Sequence, residues 1–215
     1  MNPGGATFSV MSGATFYFDP VCPWTWATSR WLLAAAEQRG LDIRWRTFSL
    51  GVMNKDKPVP AFLDTPEFKA KIALAAKALK VVEAGVAAGD NDAVGRFYTE
   101  WGARFHEAEE EPTQALLEAA ADAAGVAHLL TAADDDGLDD ATAASLEEAL
   151  QLVGPDVGSP VLHLDGAERG TFGPIVSPPP RGEEAGRLWD GVVALTTIGS
   201  FYELKRGRSG PPAFS

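Results

Sequence analysis

The spacing of apolar positions changes twice along this chain of 215 residues. Ala14 to Phe18 is an unbroken apolar and aromatic run, stopped by Asp19-Pro20, which is the pattern of a buried strand. A helix follows. Pro23 suits a first helical position, Trp26, Trp31, Leu32, Leu33 and Ala35 form a broad apolar face, and Gly40 supplies the stop. The next stretch alternates: Leu41, Ile43, Trp45 and Thr47 on one side, Asp42, Arg44 and Arg46 on the other, a second strand. Strand, helix and strand in this order predict a parallel pair with a crossover.

From about residue 60 the period becomes helical and the composition Ala-rich. Phe68, Ile72, Ala75, Leu79, Val82 and Val86 recur at 4-3-4-3-4 spacing. Val94, Phe97, Tyr98, Trp101 and Phe105 mark a second, aromatic-faced helix after the Gly89-Asp90-Asn91 break. A third runs from Thr113, a natural N-cap, to Gly125, and a fourth carries Leu146, Leu150 and Val153. Strand patterning then returns in Pro160 to Phe172, with an Asp165-Gly166 turn that signals a hairpin. After Pro178-Pro179-Pro180 a closing helix starts near Glu183, with Leu188, Val192 and Leu195 on one side. The expectation is an α/β fold, β-α-β then β-β-α, over residues 13–58 and 154–215, interrupted by an all-helical insertion over 59–153.

Composition narrows the function. A hydrophobic content of 46% can build a core, and a net charge of -12 argues against nucleic-acid and anionic-membrane partners, which need a basic surface. The acidic runs Glu107–Glu111 and Asp134–Asp140 read as solvated faces and turns. No apolar run approaches the roughly 20 residues of a membrane span, and the opening residues lack a basic region followed by an apolar one, so a cytoplasmic protein is expected. Its expected partner is a small molecule, and its expected state a monomer or homodimer. Cys22 is the only cysteine, which excludes an intramolecular disulfide. His106, His128 and His163 lack metal-ligand spacing, and phosphate loops and nucleophile elbows are absent.

Cys22 sits in "FYFDPVCPWTW", between the first strand and the first helix. If Pro23 opens the helix, Cys22 is its N-cap, and its sulfur can face the N–H groups of Trp24 and Thr25. Those donors and the helix dipole favour a thiolate and predict a depressed pKa. The plain alternative is a buried structural cysteine. Thr25 stands where a Cys-x-x-Cys motif has its second sulfur, so its hydroxyl is a candidate partner for the thiolate. Ser159-Pro160, opening a strand, is a candidate cis peptide.

These residues resemble the thioredoxin superfamily in its DsbA-like branch. "FYFDPVCPWTWATSRWLL", "FYTEWGARFHE", "VGSPVLHLDG", "FGP", "PRGEEAGRLWDG" and "FYELKRGRSGPP" narrow the resemblance to the actinobacterial mycothiol-dependent nitroreductase group, over residues 14 to 214. Kappa-class glutathione transferases and 2-hydroxychromene-2-carboxylate isomerases are more distantly similar, with the site in the same place. The resemblance implies a nucleophilic Cys22, with Trp24 in the active-site turn, Asn54 near the substrate pocket, His106 as a catalytic or binding residue and Pro160 as the cis proline after Ser159. His106 also reads as a helix-end histidine favoured by the dipole. Pro23, Phe62 and Trp101 join the expected substrate site, with Phe97 and Phe105 beside them; for most of these aromatics helix-packing core is the favoured reading. Thr25 and the segment "KDKPVPAF" depart from the group's pattern.

Without a resolving sulfur, two enzyme chemistries are open. A lone thiolate can add to a conjugated double bond, allow rotation and leave again, giving cis–trans isomerisation of an unsaturated small molecule, free or carrier-bound, with no cofactor. This is the preferred expectation. The rival is a monothiol reductase or transferase using mycothiol. A non-catalytic binding protein, with an ordinary thiol, is the third reading.

Overall fold

A computed structural model describes residues 12–61 and 63–215. Strand β1 (Gly13–Phe18) leads into helix α1 (Pro23–Arg39) and strand β2 (Asp42–Thr47). A short helix α2 (Leu50–Met53) precedes α3 (Pro66–Ala87), α4 (Asn91–Gly102), α5 (Gln114–Ala124) and α6 (Asp139–Val153). Strands β3 (Val161–Leu164) and β4 (Thr171–Phe172) and helix α7 (Gly182–Thr196) close the fold.

The sheet order is β2-β1-β3-β4, with β1 parallel to β2 and antiparallel to β3. Every residue of β1 is buried, because helices cover both faces of the sheet. Ala14, Phe16 and Phe18 join the main core; Tyr17 points the other way, to Phe48, Leu146, Ala149 and Val161. The hairpin is as expected, with Val161 opposite Phe172, though β4 has only two residues.

Local signals act where they stand. Pro23 lies in the first turn of α1, and Gly40 ends it in the left-handed region at φ 64°. Ser49, Thr65 and Asp90 cap α2, α3 and α4 through their side chains. The buried face of α3 is wider than its period predicts: Leu74, Ala78, Val81 and Glu83 are also covered. The reason is that α3 packs on β2 as well as on its helical neighbours. Glu83 survives there by accepting a short hydrogen bond from the Thr47 hydroxyl, and burial pushes its carboxyl pKa up.

An aromatic cluster locks the helices between β2 and β3 onto the sheet. Tyr98 of α4 stacks on Phe18 of β1 at 3.9 Å between ring centroids and meets Trp26 of α1 edge-on at 5.5 Å. Among the described residues no helix is long and apolar enough to cross a membrane.

Candidate active site

Cys22 is the N-cap of α1, with extended backbone at φ -83° and ψ 113°. Its position follows from both neighbours. Asp19 O accepts from Cys22 N at 3.1 Å, which closes the turn after β1, and Pro23 opens the helix without needing a hydrogen-bond partner for its nitrogen. The sulfur is half-buried and makes no cap hydrogen bond to the first turn. Its thiol faces the carbonyl oxygen of Ser159, at 3.9 Å. The Ser159–Pro160 peptide bond is cis.

Thr25 fills the place of a second sulfur and is fully buried. Its Oγ1 lies 2.8 Å from Ser159 Oγ, which also accepts from Asp19 N at 3.0 Å. When Ser159 donates to Thr25, the threonine hydroxyl proton is free to turn to Sγ. The loop before β3 is thereby pinned to the first turn of α1 by hydroxyl groups.

The expected depression of the Cys22 pKa is not what the structure gives. Burial pushes the thiol up, and the Asp19 charge adds to that effect. The Thr25 hydroxyl and the N–H groups of Thr25 and Trp24 work against it without winning. Helix-terminus stabilisation requires donors on the sulfur, and here desolvation is the larger effect.

Asp19 is a neighbour of Cys22 that sequence reasoning missed, having read it as a strand stop. It is buried, accepts from Val21 N at 2.8 Å and from Leu50 N at 2.6 Å, and so ties the Cys22 turn to α2. Burial pushes its pKa up to about 6 against those two donors. Its charge disfavours the Cys22 thiolate. Alkylation of Cys22 by iodoacetamide as a function of pH should therefore show a midpoint above the ordinary cysteine value of about 8.5. In Asp19→Asn the midpoint should move down. A wild-type midpoint at or below the ordinary value would contradict this account.

His106 and Trp101 converge on one atom. His106 Nε2 and Trp101 Nε1 each lie 3.0 Å from the Pro20 carbonyl oxygen. A carbonyl only accepts, so His106 carries its proton on Nε2. Burial pushes the His106 pKa down to about 4, which leaves the ring neutral at pH 7. A π-helical turn, Ala103–Glu107, aims it: the Ala108 N–H reaches back to Ala103 O at 2.9 Å. His106 thus braces the turn before Cys22, with its donor nitrogen already used. Trp101 is fully buried and stacks on Phe105 at 5.1 Å, and Phe97 is buried beside it. These three aromatics pack as core, and Trp101 buttresses Pro20 through its indole N–H.

The other expected residues separate. Trp24 is half-buried beside Cys22, and the Arg208 guanidinium lies over its ring at 4.2 Å. Asn54 ends α2, and its Nδ2 donates to Leu50 O at 2.9 Å, within its own helix. Phe62 lies outside the described residues. Among the described residues no cluster of His, Cys, Asp or Glu could hold a metal ion.

Comparison with known proteins gives one family and a set of structural neighbours. A family model described as "Rv2466c-like: Mycothiol-dependent nitroreductase Rv2466c" matches residues 21–206. The uncharacterized protein Rv2286c of Mycobacterium tuberculosis is 29% identical over 204 residues, 93% of this chain and 84% of that protein. The cytosolic disulfide reductase DsbM from Pseudomonas aeruginosa with GSH superposes with a TM-score of 0.53 at 20% identity, covering 85% of this chain and 100% of that one. A second structure of DsbM gives 0.52 at 18% identity, with 85% and 99% covered. At such identities the neighbours establish the fold, thioredoxin-like with a helical insertion. The family match adds the chemistry class, and the chain belongs to the Rv2466c-like mycothiol-dependent nitroreductase family, enzymes of the thiol oxidoreductase type.

Proposed function

We propose that this protein is a monothiol, mycothiol-dependent oxidoreductase in which Cys22 alternates between a free thiol and a mixed disulfide. The observation that carries this reading is the position of the chain's only thiol, at the first turn of α1 against the Ser159–Pro160 loop, within a family match that spans the site. The Cys22 thiolate and one external thiolate give up two electrons as the Cys22–S–S–R bond forms. An acceptor takes those electrons with two protons. A second external thiolate then attacks the R sulfur, releases the Cys22 thiolate and leaves as R–S–S–R. Thr25 cannot perform this last step. A thiol with a raised pKa is also a slow leaving group, so the mixed disulfide is long-lived.

Incubation with oxidised mycothiol should add one mycothiol to the intact mass of the wild type and none to Cys22→Ser. Reduced mycothiol should remove the adduct and support reduction of a nitro compound. Absence of both adduct and turnover would defeat the proposal.

Isomerisation through reversible addition of Cys22 to a conjugated double bond is the second reading. It is favoured by Thr25, whose buried hydroxyl leaves the site with one sulfur and no internal disulfide. It is distinguished by turnover of an unsaturated substrate with no consumption of thiol. The family match places thiol-dependent reduction ahead of it.

A further inference from the structure

Helix α7 ends at Thr196, and the chain then folds back beside the Cys22 turn without further helix or strand. Three contacts fix its course. Arg208 lies over Trp24, two residues after Cys22, at 4.2 Å from the ring centroid. Ala213 N donates to Ser177 Oγ at 2.7 Å, and Ser177 Oγ donates to Ala213 O at 3.2 Å. Phe214 is half-buried, with its ring 6.1 Å from that of His106, whose Nε2 holds Pro20, two residues before Cys22. Pro211-Pro212 stiffens the stretch between the first contact and the second. The C-terminal segment therefore meets Trp24 on one side of Cys22 and, on the other, the His106 ring that holds Pro20.

Its charge stands out against the rest of the chain. The net charge is -12, yet after Glu203 the sequence holds Lys205, Arg206 and Arg208 and no acidic residue. Among the described residues none of these three forms an ion pair. The carboxylates close to the site are engaged elsewhere: Asp19 with Val21 and Leu50, Glu107 with Trp26 Nε1 at 3.1 Å. Arg208 is left as a cation seated on the face of Trp24, two residues after the nucleophile in the chain, with its hydrogen-bonding edge free of carboxylate.

We propose that residues 207–215 form an outer wall of the Cys22 site and that Arg208 selects reaction partners carrying an anionic group, a carboxylate or a phosphate, close to the reacting atom. The matched family region ends at residue 206, before Arg208 and Phe214. The proposal rests on Cys22 being the reacting group of the site, as in the function proposed above, and it is independent of mycothiol.

The test compares second-order alkylation rates of Cys22 by iodoacetate and by iodoacetamide, at one pH, in the full chain. The two reagents differ by one negative charge. Arg208→Ala should lower the iodoacetate-to-iodoacetamide ratio by about 2–5-fold, the scale of a partly exposed charge interaction. Arg208→Lys should retain most of it. Phe214→Ala, which releases the segment while leaving its charge, should lower the ratio too. A ratio in Arg208→Ala equal to that of the wild type overturns the proposal, as does a Cys22 that reacts with neither reagent in any variant. Loss of the mycothiol adduct with the ratio intact would overturn the proposed function and leave this assignment standing.

Discussion

Thr25→Cys is expected to turn a persistent mixed disulfide into one too short-lived to trap. Thr25 sits in the first turn of α1 with its hydroxyl directed at Ser159 Oγ, and that hydroxyl is close enough to Cys22 to favour its charged form. A sulfur at this position attacks the Cys22–S–S–R bond within the molecule. Well-oriented intramolecular groups act at effective concentrations far above any external thiol, so adduct lifetime should fall by a factor on the order of 1,000 or more. The product is an internal disulfide, read in the intact mass as the loss of two hydrogens and of the adduct. The substitution gives up the Thr25–Ser159 hydrogen bond, worth about 1 kcal/mol, so the variant remains folded. An adduct as durable as that of the wild type would mean that position 25 does not reach the sulfur.

Gly102→Ala should be the most damaging small substitution for stability. A methyl group there would overlap the six-membered ring of Trp26. That ring cannot move aside, since it is 1% exposed. The Arg30 guanidinium lies over it at 3.8 Å, Tyr98 meets it edge-on, and His106 stacks along it. The extra volume must separate α4 from α1, and overpacking of this kind costs about 1–3 kcal/mol or more. Gly191→Ala is the control: it lies within α7 with nothing within 4 Å of the added carbon, and should be stabilising by about 0.5–1 kcal/mol. Urea midpoints of the two variants should move in opposite directions. Equal midpoints would show that the α1–α4 contact is looser than described.

Much of the fold was legible because its signals are local. Pro23, Gly40 and Gly125 act within one helical turn, and the α3 spacing reports its own buried face. Helix α2 was not legible: it has four residues, and its first N–H is held by Asp19, 31 positions earlier in the chain. The π-helical turn that aims His106 lies inside a stretch whose spacing predicts one continuous helix from Val94 to Phe105. Within the site, Cys22 and the Ser159–Pro160 loop were legible from motif and position. Asp19 was not, because a buried acid before a proline reads like any strand stop. Nor was Arg208, whose contact with Trp24 spans most of the chain.

The sequence by itself determined that there is one thiol, that it stands at a strand-to-helix junction, and that Thr25 removes the internal disulfide. These follow from residue identity and capping, which act over a few bonds. Only the tertiary structure decided the direction of the Cys22 pKa, the tautomer of His106 and the course of the C-terminal segment. Desolvation and hydrogen-bond pairing depend on which distant elements close over a group, and for Cys22 that burial outweighed the first turn of its own helix.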